Sequence, residues 1–272
     1  MAGLAGSRRQ LPLCDMAHER RFCTSSAFHP QKACDLPFQF KAAIDSLVAQ
    51  IECYRAEDDM TYKKTCGASL TLAAGEEISL GLAQGGRQLT VSQALAMRRS
   101  TRQFALRRIS SDFVGQLCWA AQGITGPEGV RTAPSAGALY PVSVFVVDRS
   151  GAYAYEPDRH VLRQTLAGDL RPKLQAACLD QECVGSAPLC LAVVVDPARL
   201  APKYGIRAER YCLLEAGHVA ENVLLQATAL ALAAVPVGAF NDGELANLLQ
   251  LPEEVYPVYV LPVGYPREAG CG

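Results

Sequence analysis

The run Arg98-Arg99-Ser100-Thr101-Arg102, leading on to Phe104, gathers three guanidiniums and two hydroxyls into five residues. That chemistry suits a phosphate monoester. Arginine supplies bidentate, charge-assisted bonds and a serine hydroxyl adds a further donor. The same run also fits a solvated basic helix end favoured by the C-terminal dipole. A second stretch, Arg131-Thr132-Ala133-Pro134-Ser135-Ala136-Gly137-Ala138-Leu139-Tyr140-Pro141, is rich in small residues that let backbone approach a flat ligand closely. On composition alone it is an ordinary Gly/Pro turn. Lys203-Tyr204 sets an amine beside a phenol, although an arbitrary pair of this kind is more often a surface lysine next to a packing tyrosine.

Other constellations carry less. Glu215-x-x-His218 matches half of a di-iron motif. Such a site needs a second copy, which the sequence lacks, so a satisfied core histidine is expected. The sequence has no HExxH, P-loop, GxSxG or GxGxxG pattern, and no metal site is expected. Trp119 reads as a core residue. Tyr153 and Tyr155 fall in a turn-rich stretch ending at Pro157 and suit either an entrance lining or packing.

These residues need a scaffold, and from Arg87 onward the pattern is regular. Thr90-x-x-Gln93 is a capping box that starts a helix over residues 91–97. Ser110-Ser111-Asp112 caps a second helix, with Phe113, Leu117 and Ala121 inward and Gly123 as its stop. Residues 142–147 and 189–195 read as buried strands. Asp169 is expected to cap a helix running through Cys178. Residues 207–234 read as one long helix, apolar on almost every face, which a subunit interface would bury. Asp242 is expected to cap a short helix to Leu249. Residues 256–263 form a last strand, whose Pro257 and Pro262 argue against a central antiparallel position. Helices alternating with strands indicate an α+β or α/β sheet covered by helices.

Upstream, residues 1–87 read poorly, as an extension that is partly helical or disordered. Residues 38–56 suit an amphipathic helix, and GLAQGG (81–86) reads as a flexible junction. The chain has 272 residues, with 50% hydrophobic and 19% charged types, enough to bury a large core and exclude a disordered or fibrous chain. A net charge of −1 gives no footing for a nucleic-acid partner held by a basic surface. The 11 cysteines, odd in number and without CxxC, are expected to be reduced in a cytoplasmic protein. The start has no apolar core of a signal peptide. The apolar stretch 227–240 is too short and broken for a membrane span.

RRSTRQF, LCWAAQGIT (117–125), RTAPSAGALYP, KYG (203–205), LLEAGHVAEN (213–222), VPVGAFND (235–242) and LPVGYP (261–266) follow one another in this order. Together they resemble the nitroreductase family of FMN oxidoreductases, and within it the SagB-type branch that includes azoline and thiazoline oxidases. The resemblance covers residues 88–268. It implies an α+β fold, a mixed sheet flanked by helices in an intertwined homodimer, with FMN at the interface. It places Arg98, Arg99 and Ser100 at the FMN phosphate and Arg102 at the pyrimidine edge. Pro134, Ser135, Ala136 and Gly137 would approach the isoalloxazine from the partner subunit. The backbone of Val237, Gly238 and Ala239 would face N5, and Gly264 and Arg267 stand where a late phosphate contact belongs. Glu221 departs from the pattern, where Gln is more frequent, and a buried charge there would need a partner.

The resemblance also makes Lys203 and Tyr204 catalytic. Aromatising a dihydro-heterocycle removes a hydride, which flavin N5 accepts, and a proton, which needs a base. A lysine serves where desolvation or cations such as Arg207 and Arg210 favour the neutral amine. Three functions are therefore expected in turn. The first is a flavin dehydrogenase acting on a peptide azoline or small heterocycle. The second is a nitroreductase or quinone reductase fed by NAD(P)H. The third is a non-catalytic flavin-binding scaffold subunit.

Overall fold

The computed structural model describes residues 77–82 and 89–267, all within one compact unit, Ser69–Gly272. The helix expected over 38–56, residues 83–86 of the GLAQGG junction, and Cys14, Cys23, Cys34, Cys53, Cys66 and Cys271 lie outside the described residues. Seven strands form one sheet: β1 (Glu77–Ser79), β2 (Val142–Val147), β3 (Gly151–Glu156), β4 (Val161–Ala167), β5 (Leu189–Val195), β6 (Ala233–Ala234) and β7 (Tyr256–Gly264). Their spatial order is β1-β4-β3-β2-β5-β7-β6. Every named pair is antiparallel. The mixed character is confined to a parallel bridge, Ser100 to Ala234.

Strand β5 explains the layering. All seven of its residues are buried. Leu189, Leu191, Val193 and Val195 face one core with helices α2 (Ser111–Gln122) and α6 (Ala208–Ala229). Cys190, Ala192 and Val194 face a second core with α3 (Arg171–Ala177), α4 (Glu182–Ser186) and α7 (Asp242–Leu248). A strand covered on both faces reads as an unbroken apolar run, which is why it is legible in sequence.

The capping box of α1 (Val91–Met97) is complete in both directions, and Ser110 caps α2 through Phe113 N–H. Gly123 stops α2 as expected, but without the left-handed turn usual for such a glycine. Gly123 is extended, with φ −64° and ψ 146°, and glycine is required there because a Cβ would collide with the Trp119 ring and carbonyl. Trp119 itself is only half-buried. Asp169 does not cap α3. The N-cap is Leu170, and Asp169 Oδ1 accepts from Arg171 N–H just ahead of it. Asn241, not Asp242, caps α7, accepting from Glu244 N–H.

The long helix α6 ends at Ala229 rather than 234. Ala231 takes φ +59°, Leu232 N–H donates to Ala227 O at 2.8 Å and Ala231 N–H to Thr228 O at 3.1 Å. This is a Schellman stop with alanine where glycine is usual. Nor is α6 buried on every face within one protomer: Leu213 and Leu214 remain 45% and 53% exposed. The stretch around Tyr153 and Tyr155 ending at Pro157, read as turn-rich, is strand β3 of the β3–β4 hairpin, and both tyrosines pack inward. Segment β1 pairs with β4, so the sheet extends upstream of residue 88.

Strand β7 is antiparallel and lies between β5 and β6, contrary to the expectation from its prolines. Two features accommodate them. Pro257 falls at a bulge opposite Val193 and Val194. Pro262 turns its carbonyl toward Val235 N–H, so its missing donor faces the side where β6 spans just two residues. Leu191→Ala, at a fully buried site, should cost about 2–5 kcal/mol in chemical denaturation. Leu106→Ala, fully exposed, should stay within about 0.5 kcal/mol.

Candidate functional site

The arginine–serine segment leaves α1 at Arg98 and runs along the β6–β7 edge. Thr101 N–H donates to Ala234 O, Ala105 N–H to Tyr265 O and Arg267 N–H to Gln103 O. Phe104 bridges to Pro266. Arg98 to Arg102, Val235 to Ala239 and Gly264 to Arg267 therefore meet at one edge. Their roles divide. Arg99 Nη1 donates to the carbonyls of Ala96 and Arg98, closing the end of α1. Ser100, Arg102 and Arg267 are exposed and Arg98 is half-buried. Gly264 is buried, and a Cβ there would come within 2.9 Å of Phe104 and 2.8 Å of Pro188, so the structure shows it serving packing. Val237 N–H is taken by Val260 O, leaving Gly238 and Ala239 as the exposed backbone of that turn.

The small-residue stretch forms a tight turn before β2. Ser135 Oγ accepts from Tyr140 N–H at 2.8 Å, and Ala138 N–H donates to Ser135 O. Gly137, Ala138 and Tyr140 have φ of +63°, +55° and +47°. For the two non-glycine residues the left-handed region costs about 1–2 kcal/mol each. Such strain persists only where surroundings over-determine the turn. Here Arg199 Nη1 donates to Tyr140 O, Arg131 N–H donates to Tyr140 Oη, and the Arg131 guanidinium stacks 4.5 Å above that ring. Pro134 and Gly137 are exposed, Ser135 and Ala136 half-buried.

Lys203 and Tyr204 sit on a one-turn helix, α5 (Ala201–Tyr204). A Cβ at Gly137 would lie 2.8 Å from both Lys203 Nζ and Tyr204 Oη. The turn and the Lys-Tyr pair thus converge within one protomer. Tyr204 is held edge-on against Tyr211 of α6 at 5.0 Å. An amine and a phenol against an exposed glycine turn can exchange a proton with whatever lies over that turn.

Helix α6 connects the parts. Its Glu221 pairs with Arg98 at 3.7 Å, and both side chains are partly exposed, so the charge has both partner and solvent. Its Asn222 donates to Thr132 O. Glu215 is buried, and burial holds its carboxyl above the usual carboxylate range. His218, expected in the core, is exposed. No hydrogen bond or ion pair among the described residues joins the segment Arg98 to Arg102 to the turn Pro134 to Gly137. A cleft of about 260 Å³ behind the turn is lined by Gln122, Arg131, Ser143, Tyr155, Asp158 and Arg199. Sequence reasoning assigned no role to Gln122, to Arg131 as an anchor, or to Arg199: the first two stand inside quoted stretches and the third in none, and their signal is three-dimensional. Among the described residues no group of His, Cys, Asp or Glu suits a metal ion, and no helix is long and apolar enough to cross a membrane.

Comparison with known proteins gives consistent matches. A family model described as the nitroreductase family matches residues 95–265. A Methanocaldococcus jannaschii protein provisionally named a nitroreductase is 36% identical over 183 residues, 65% of this chain and 91% of its own. A Ralstonia eutropha crystal structure, provisionally named a nitroreductase, superposes with a TM-score of 0.64 at 28% identity, covering 74% of this chain and 97% of its own. The Vibrio harveyi NADPH:FMN oxidoreductase complexed with NAD+ has a TM-score of 0.50 at 21% identity, covering 65% and 69%, and shares the fold.

Gly137→Ala should lower thermal stability by more than Gly129→Ala. Both positions have positive φ, but nothing lies within 4 Å of a Cβ at Gly129. Strain alone predicts about 1–2 kcal/mol there, and displacement of Lys203 and Tyr204 adds to it at Gly137.

Proposed function

We propose, from the premise that this chain belongs to the nitroreductase family and is therefore an oxidoreductase, that it is an FMN-dependent dehydrogenase of the SagB type. Residues 88–268 would be the FMN-binding domain, completed by a second copy of the chain. The observation that carries the reading is the convergence of Lys203 Nζ and Tyr204 Oη on Gly137. A dehydrogenase needs a base to take the substrate proton, and an amine–phenol pair at that turn can serve as one.

The donor set fits a phosphorylated flavin. Ser100 and Arg102 are exposed at the β6–β7 edge and Arg98 is half-buried there, so hydroxyl and guanidinium donors remain for a phosphate and a pyrimidine edge. Arg267 is anchored by its backbone to the same edge. Arg99, bonded to two carbonyls, would not take part. Pro134, Ser135, Ala136 and Gly137 offer a flat face without bulky side chains. The exposed Leu213 and Leu214 of α6, with Val91 and Leu95 of α1, would be covered in a homodimer that brings this face of one protomer to the arginine edge of the other. When bound, FMN would supply the two-electron chemistry. Arg102 would stabilise negative charge at the pyrimidine edge, and Lys203, oriented by Tyr204, would take the substrate proton. The substrate would be a peptide azoline or a related small dihydro-heterocycle.

Arg98→Ala combined with Ser100→Ala should give a folded protein whose FMN affinity, read by fluorescence quenching, falls about 10²–10⁴-fold, since each charge-assisted bond is worth about 1.5–3 kcal/mol. A yellow preparation with full FMN content would remove this assignment.

Lys203→Ala should keep FMN and lose dehydrogenase turnover by about 10²–10⁴-fold, and turnover equal to the parent would refute the base role. The names of the relatives favour a second reading, an NAD(P)H-fed nitro- or quinone reductase. Rapid bleaching of bound flavin by NADPH in an anaerobic titration would select it.

A further inference from the structure

Glu215 is an expensive residue to bury. It is 2% exposed, and an isolated buried carboxylate is strongly disfavoured. The polar groups turned toward it are the Ser135 hydroxyl, the Gln122 amide, the Arg131 guanidinium and the Val142 N–H. They lie close enough to act on it electrostatically, yet neither carboxyl oxygen has a hydrogen bond of normal geometry. Gln122, 1% exposed, accepts from Arg131 Nη1 at 3.0 Å and leaves its own Nε2 unpartnered, as is Arg131 Nε. A core that needed only volume at this point would hold an apolar residue.

What these groups share is the turn above them. Arg131 carries the Tyr140 ring, and Ser135 carries Tyr140 N–H. Between the two lie Gly137, Ala138 and Tyr140 in left-handed backbone, the conformation that puts Gly137 against Lys203 and Tyr204. We propose that Glu215 is a positioning residue: with Gln122 and Arg131 it holds Ser135 and Tyr140 so that the strained turn keeps the shape that presents Gly137 to Lys203 and Tyr204. Its value for flavin binding rests on the reading above, but the positioning itself does not.

The test separates loop from fold, and positioning from cofactor. Glu215→Leu replaces the buried carboxyl by an apolar side chain of similar volume and leaves the Gln122 amide and the Arg131 guanidinium facing it, which lowers global stability. The protein should stay folded below its transition. Amide hydrogen exchange at Ala138 and Tyr140 should nevertheless accelerate roughly tenfold, the loss of about one hydrogen bond, while strand β2 stays protected. Glu215→Gln, which keeps an oxygen and adds a donor, should restore slow exchange. Ser135→Ala should accelerate Tyr140, and adding Glu215→Leu to it should give little further change, because both act through one bond.

Unchanged exchange in Glu215→Leu, or losses that multiply in the double variant, would overturn the proposal. Should Glu215→Leu prevent folding, exchange in Glu215→Gln and in Gln122→Met decides in the same way, with fast exchange expected in the second alone. FMN titration of the same proteins completes the experiment. A parent chain that binds no FMN, yet loses turn protection in Glu215→Leu, would sink the cofactor reading and leave the positioning role standing.

Discussion

One buried helix face holds the candidate site together. Ala208, Cys212, Ala216, Val219, Val223 and Ala227 of α6 pack into the core beside β5, and that packing fixes the rotation and height of the helix. Once fixed, its remaining side chains fall at set positions. Tyr211 meets Tyr204, Glu215 lies beneath Ser135, Glu221 reaches Arg98 and Asn222 reaches Thr132 O. The arginine segment, the small-residue turn and the Lys-Tyr pair share no motif, but all are referred to the same rigid rod.

Strain in the turn is the counterpart of that rigidity. Ala138 and Tyr140 hold backbone conformations that a free loop would abandon. Arg131 and Arg199, one on each side, tie the Tyr140 residue down. Proton chemistry at Lys203 would then depend on anchors well away from it, which act by shape rather than by contact.

Much of this was legible in residue order, and the failures have physical causes. The capping box at Thr90 and the Ser110 cap are local chemistry, and both appear as expected. Strand β5 was legible because two-sided burial demands an apolar run, and β2 because Val142, Val144 and Val146 share one buried face. The β3–β4 hairpin was not, since Gly151 to Pro157 alternates small with aromatic residues rather than apolar with polar ones. The end of α6 was hidden because an alanine, not a glycine, takes the left-handed position. Asn241 and Asp242 are both good caps, and only the fold selects between them. At the candidate site, the arginine segment and the Lys-Tyr pair were visible as types and spacing. Arg131, Gln122 and Arg199 were not, because what matters about them is which ring or carbonyl they reach across 9 to 59 residues.

If these surfaces clasp a phosphorylated flavin, the visible absorption spectrum of the purified protein shows it at once, with any released chromophore identified by mass. A yellow protein releasing stoichiometric FMN is expected. A colourless protein that takes up no FMN when titrated with it would contradict it.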